Sequence, residues 1–403
     1  MSDDSSHIIR LSILLERPLS EPKHYPWLDW MRFLAAMMVV MVHARQEFHV
    51  EFGRLPAEQK TPVVAAFFSV TRLGNEAVIV FFVLSGYLVA GKGIERLLQS
   101  RFNTTDYGVD RFARVYLPYI PALLLTWICS IAVGTHPAAS TFLWNVFCLQ
   151  GVFDTYFGIN GPLWTIAYEV WFYVLLGSVG GFLEFQNTSR IRTALALIGI
   201  ILSLAVFTVL SSTYLFCWMI GAMAYFYRQA DWKISAIALV VVIYAVIGIQ
   251  LRVNATVSVN SGKWLSYFPS AQVCQLIMAT CVAAIISQLV TYQPRSSLTK
   301  RFEHLGTILA SFSYSLYLTH NLSIRVALAA ITPTRYPEIS VMSLGSMFAG
   351  CCLAFTVAYV MYLLFERHTA RFKRWIRRMV FRQVPSDARG KSGSPQGQIP
   401  TES

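Results

Sequence analysis

Asp29, Arg32 and His43 lie within LDWMRFLAAMMVVMVHARQEF (28–48), a stretch apolar enough to enter a membrane. A neutral imidazole takes a proton from a hydroxyl near neutral pH. A guanidinium stays charged and seeks an anionic partner. Arg32 and His43 are eleven residues apart. At 100° per residue that is three turns plus about 20°, so both project from one helix face, about 16 Å apart along the axis. Asp29 sits one turn below Arg32 on the same side and neutralises it. Ionisable groups in a spanning helix are costly and face a protein interior or a wet cavity. This helix therefore turns a polar stripe inward, with Arg32 in its inner half and His43 in its outer half.

Other polar residues stand at similar sites. Glu169, in TIAYEVWFY, lies two turns inside an apolar helix that Asn160 would cap and Pro162 would open. Its carboxylate either orients a histidine, as in a triad, or pairs with an arginine of another helix. Arg111 and Arg114, in RFARVYLP, are an i, i+3 pair offering two donors on one face, or else ordinary flanking charge. Pro118 follows and would kink that helix. Ser85 and Gly86 sit mid-span, suited to close helix packing or to contact with a bound donor. SFSYSLYLTHN brings Tyr314, Tyr317 and His320. A tyrosine hydroxyl there either donates to a developing oxyanion or packs with its hydrogen bond satisfied. The segment 140–158 offers Trp144, Phe147, Phe153, Tyr156 and Phe157 as interfacial anchors or as stacking surfaces for a sugar.

The chain that must position these groups has 403 residues, 55% hydrophobic and 13% charged, with mean hydropathy +0.50. Soluble chains carry about 25% charged residues, so the expected class is an all-α polytopic membrane bundle. Ten spans are expected, at about 28–48, 76–94, 113–134, 162–183, 192–210, 213–228, 232–250, 270–291, 305–331 and 340–365. The segments 92–114, 184–192, 228–233 and 295–303 each hold more Lys and Arg than Asp and Glu, while 135–161 holds no Lys or Arg. That alternation puts both termini on the cytoplasmic side. The net charge of +12 follows the same loops and the basic segment RFKRWIRRMVFRQ, a pattern that excludes nucleic acid as the partner. Residues 367–381 are expected to form a basic amphipathic helix on anionic lipid, followed by a disordered tail from 385. Seven cysteines without a CxxC or a Cys/His cluster argue against a metal site or a disulfide framework. Residues 1–25 are not like a signal peptide and read as a cytoplasmic segment.

The first stretch, with Arg32, ten residues and then His43, resembles the first-helix signature of the acyltransferase-3 family of membrane acyltransferases. EAVIVFFVLSGYLVAG resembles that family's second-helix motif, and RFARVYLP its inner arginine motif. GPLWTIAYEVWFYVL resembles its Leu-Trp-x-x-x-x-Glu motif on Leu163, Trp164 and Glu169. SYSLYLTH resembles its late Ser-Tyr-x-x-Tyr-x-x-His motif. FERH resembles the Glu-Lys-Pro that ends the last helix, without the proline. The resemblance covers 26–368, with 1–25 and 369–403 as flanking segments. It implies an O-acyltransferase of the bacterial inner membrane, most often an O-acetyltransferase. The implied donor is cytoplasmic acetyl-CoA or another acyl-CoA, and no metal is expected. The implied acceptor is a surface glycan or lipid-linked saccharide; some members complete the transfer with an appended extracellular esterase-like domain, and here a separate extracytoplasmic protein would take that part.

On this reading His43 is the base or nucleophile, Glu169 orients it, and Arg32 contacts the donor. Arg111 and Arg114 hold the donor phosphates, with Ser85 and Gly86 nearby, and Trp164, Tyr314, Tyr317 and His320 meet the substrate. Two rivals come from other classes. One is a proton-coupled carrier of a saccharide or small acid, which would use the same intramembrane charges. The other is a scaffold of a glycan-synthesis complex.

Overall fold

Long apolar runs close their backbone hydrogen bonds locally in helices, the form that satisfies every amide in lipid. The computed structural model describes residues 24–153, 157–227, 232–253, 267–291, 296–332 and 334–381. Among these the chain is helical throughout, and the one extended pairing is an isolated bridge between His49 and Tyr336. The helices are α1 (Pro26–Phe48), α2 (Pro62–Val70), α3 (Gly74–Ser85), α4 (Lys92–Leu98), α5 (Thr104–Ala132), α6 (Ala139–Val146), α7 (Trp164–Phe185) and α8 (Arg190–Val209). They continue with α9 (Ser212–Phe226), α10 (Trp232–Val253), α11 (Ala271–Leu289), α12 (Ser297–Ser311), α13 (Ser313–Ile331), α14 (Val341–Leu364) and α15 (Thr369–Phe381). The N-terminal segment 1–23, Tyr156 and the tail 385–403 lie outside the described residues.

Seven helical stretches among the described residues are long and apolar enough to cross a membrane, rather than the ten expected. The difference has physical causes. Helix α9 is apolar but has 15 residues, about 22 Å against a hydrocarbon core of about 30 Å. The apolar part of α10, Ala236–Arg252, is also short. The expected span at 305–331 breaks at Phe312 into α12 and α13. Helix α13 buries a face of Ser, Tyr, Thr, His and Asn, which lowers its hydropathy.

Helix α1 is the hub. It packs against α3, α12, α13 and α14, and its buried face includes Leu28, Ala35, Ala36, Val39, Val40 and Ala44. Helix α5 runs unbroken through Pro118 and Pro121, so neither proline ends it. A π-helical turn, Gly86–Gly91, continues α3 into α4. It seats against α9, where a Cβ at Gly86 would strike the Trp218 carbonyl and one at Gly221 would strike the Val83 carbonyl. The two backbones therefore touch, which explains why small residues stand there.

The expected basic amphipathic helix forms as α15, but part of its charge is turned into the protein. It packs along α5, with Lys373 paired to Asp110 and Arg377 to Asp106. In the segment 140–158, Phe157 is fully buried in the core and Trp144 rests on Phe153. Phe157 is thus packing rather than a surface platform. Asn160 takes the expected N-cap position, before the 3-10 turn Gly161–Leu163 that leads into α7, but its side chain makes no capping bond. Its amide donates to the Leu318 carbonyl at 2.8 Å and to Thr126 at 3.1 Å, pinning the start of α7 to α13.

Candidate active site

Three chambers follow one another through the bundle. The central chamber, about 280 Å³, lies between α1, α3, α5, α7 and α13. It collects Arg32, Ser85, Arg111, Arg114, Glu169, Tyr173, Tyr314 and Tyr317. Each of its arginines has an acid. Arg32 pairs with Asp29 at 3.2 Å, Arg111 with Asp110, and Arg114 with Glu366 at 3.0 Å. Glu366 also accepts from the Ser315 amide and hydroxyl at 3.0 and 2.7 Å, which fixes it against α13. Glu169 accepts a 2.5 Å bond from the Tyr173 hydroxyl, which also lies 3.3 Å from Ser85. The Arg111 guanidinium lies over the Tyr173 ring.

The outer chamber, about 300 Å³, is lined by His43, Arg45, Gln46, Glu51, Arg72, Asn75, Trp164 and Gln250 among others. Val78 and Tyr317 line both it and the central chamber. Tyr317 and Val78 therefore stand between the two, and Tyr317 is the polar member of that wall. Its hydroxyl donates to the Pro162 carbonyl at 3.0 Å and accepts from Thr165 at 2.6 Å, and its ring meets Phe81 edge-on. The inner chamber, about 400 Å³, holds Lys92, Arg96, Arg101, Arg111, Lys373 and Arg377 against Asp106 and Asp110. It shares Leu88, Val89 and Arg111 with the central chamber.

The sequence model of the acyltransferase domain called acyltransferase 3 matches residues 25–363. The chain belongs to the acyltransferase-3 family. With seven helical stretches among the described residues long and apolar enough to cross a membrane, it is an integral membrane protein. An O-acetyl transferase of Shigella phage Sf6 is 28% identical over 163 residues, 37% of this chain and 44% of that protein. The acyltransferase MdmB of Streptomyces mycarofaciens is 28% identical over 158 residues, 37% of this chain and 37% of that protein. The matched stretches thus span less than half of either relative. No solved structure matches.

Within this acyltransferase-family domain the site residues read from sequence separate into groups. Arg32, Ser85, Arg111, Arg114, Glu169, Tyr314 and Tyr317 share the central chamber, while His43 and Trp164 line the outer one. Glu169 and His43 share no chamber, and the carboxylate's partner is Tyr173. Among the described residues no hydrogen bond joins the two. Gly86 packs on α9 instead of lining a chamber. His320 is fully buried beside His43, ring centroids 5.2 Å apart. Its Nδ1 donates to the carbonyls of Tyr317 and Leu316 at 2.8 and 3.1 Å, which fixes the tautomer and leaves Nε2 as an acceptor with no partner. Tyr314 differs from Tyr317 in having a buried hydroxyl without a partner. The Arg114 guanidinium lies over its ring.

The sequence reading missed Tyr173, Glu366 and Asp110 as members of the site. FERH was the one available signal, since it contains Glu366, but its partners Arg114 and Ser315 lie far away in the chain. Lys373 and Arg377 of the inner chamber lie beyond the family match altogether. Among the described residues no group of three or more His, Cys, Asp or Glu is placed to hold a metal.

Proposed function

We propose that the protein is a membrane O-acyltransferase, foremost an O-acetyltransferase. It moves an acyl group from acyl-CoA to a hydroxyl of an extracytoplasmic glycan or glycolipid. The observation that carries this reading is the row of chambers: a basic one, a central one lined by arginine and tyrosine, and one holding His43, joined through shared wall residues. A long donor with a polyanionic head and a reactive far end fits such a row. The inner chamber sets six cations against two carboxylates, a match for the roughly four negative charges of the CoA phosphates. Arg111 and Arg114 are engaged by Asp110 and Glu366. On this reading the phosphates sit mainly among Lys92, Arg96 and Arg101, with the acid-paired Lys373 and Arg377 on the same wall and Arg111 at the neck.

The thioester then lies at the Tyr317 partition. His43 takes the proton of the acceptor hydroxyl as the oxygen attacks the thioester carbonyl. The carbon–sulfur bond breaks, the CoA thiolate leaves inward, and the ester forms in the outer chamber. Tyr314 has the uncommitted hydroxyl for the developing oxyanion. Tyr317 already donates to Pro162. His320 backs His43, offering Nε2 to its N–H. Arg32 and Glu169 set the charge of the central chamber, and Trp164 gives the acceptor sugar an apolar face.

This assignment goes with ten crossings, both termini in the cytoplasm of a bacterial cell, and a catalytic domain over 26–368 between flanking segments 1–25 and 369–403. The test is the O-acyl content of surface glycans in a deletion strain, complemented with wild type or with His43→Ala, together with acetyl-CoA turnover by purified protein. One ester disappears on deletion and returns only with wild type. Esters that persist, or that return with His43→Ala, sink the reading and favour a carrier.

A further inference from the structure

Arg45 differs from every arginine of the central chamber. It is only 3% exposed and lines the outer chamber, and its Nε, like that of Arg111, is buried without a hydrogen-bond partner. Among the described residues it makes no ion pair. Its guanidinium rests over the Phe68 ring at 5.0 Å. Glu51 lines the same chamber without forming an ion pair with it, and Glu47, the other acid nearby on α1, is engaged by Arg325 at 3.1 Å and Arg335 at 3.9 Å. Arg72 adds a second cation to the chamber wall.

A cation in the last turn of α1 complements the helix dipole, but an exposed one would do that equally well. Dipole complementation does not account for a guanidinium withdrawn from water with a donor unused, an arrangement that is costly until an anion completes it. Arg45 stands two residues from His43 on the same helix, about 3 Å along the axis. Gln46 lines the chamber beside them, and Trp164 offers a flat apolar wall. A volume of about 300 Å³ is at the small end for ligand pockets, enough for a sugar ring with a charged substituent.

We infer that the outer chamber is built for an acidic acceptor. Arg45 binds a carboxylate or phosphate carried by the sugar whose hydroxyl His43 deprotonates, or by its immediate neighbour. This rests on the acyltransferase reading and adds the chemical class of its acceptor.

The test begins with the ester lost on deletion, located on the glycan by NMR. The acetylated residue or its neighbour is expected to carry a carboxylate or a phosphate. That glycan is then de-O-acetylated and offered to the purified wild-type protein with acetyl-CoA in three forms: native, carboxyl-reduced, and dephosphorylated with hydrofluoric acid. One neutralised form is expected to lose at least about tenfold in kcat/KM, as removal of a charge-assisted bond predicts, and it names which anion is read. Arg45→Gln should show little preference for the native form, and Arg45→Lys should recover part of it. The wild-type comparison needs no folded variant. Equal use of all three forms overturns the inference alone, as does an ester on a residue with neutral neighbours. Loss of no ester on deletion overturns the acyltransferase reading and the inference with it.

Discussion

The central and outer chambers share Tyr317 and Val78 as a wall, yet they treat arginine in opposite ways. In the central chamber Arg32, Arg111 and Arg114 each have a carboxylate, drawn from three different elements. In the outer chamber Arg45 has none among the described residues. Paired arginines are held in place before any ligand arrives, and an entering anion meets charge that is already partly neutralised. Such a wall guides a long donor without gripping it. An unpaired buried arginine gains most of its stabilisation only on binding, which suits selection of one acceptor over another.

The largest effect that sharpens this contrast comes from His43. His43→Ala is expected to lower kcat for transfer by roughly 10²- to 10⁴-fold, with the acetyl-CoA KM changed only a few-fold. Steady-state kinetics of purified protein checks it, and near-normal kcat would break the division of labour. Next come the two tyrosines. Tyr314→Phe, removing the unpartnered hydroxyl, is expected to cost about 10² in kcat, whereas Tyr317→Phe, removing one that is already engaged, costs less. The reverse order would move the oxyanion to the partition itself.

A stability effect tests the pairing directly. Glu366→Gln leaves Arg114 without its acid and weakens the acceptor for the Ser315 amide, and is expected to destabilise by about 2 kcal/mol. A thermal-unfolding double-mutant cycle with Arg114→Gln should show positive coupling, and additive losses would mean the pair contributes nothing.

The last effect is one of pH. His49 lies just past α1, buried and bonded to Ser343 at 3.1 Å. Burial, and then the Arg45 charge, bring its pKa from 6.5 down to about 4. The unfolded chain therefore takes up this proton first as pH falls. The contribution is complete above about 6.5 and is lost progressively toward about 4. Unfolding temperatures of wild type and His49→Gln should differ in slope over that window, and parallel curves would discard the assignment.

Much of the architecture was legible because helical period is local. Arg32 and His43 eleven residues apart had to share a face, and both do turn inward, one to each of two adjoining chambers. Arg111 with Arg114, and Tyr314 with Tyr317, follow from the same rule. What could not be read was who meets whom across distance. Glu366 reaches Arg114, and Lys373 reaches Asp110, over separations that no local pattern records. Glu169 is a different case: its carboxylate accepts from Tyr173, one turn away on its own helix, a local partner that the choice between a histidine and an arginine left out. Arg45 was invisible because a cation in a last turn looks like ordinary flanking charge until its burial is known. The break at Phe312 was hidden because apolar residues continue through it.

The Tyr317 partition bears on more than acylation. Cavities in line across a bilayer conduct if water fills them and nothing stands between them. Here the wall between the central and outer chambers is Val78 and one phenol ring, the ring clamped at its hydroxyl by Pro162 and Thr165 and braced by Phe81. A cell in which that ring were cut back to alanine would show the damage first in its energetics, as a leak of protons and a falling membrane potential, before any change in its ester chemistry.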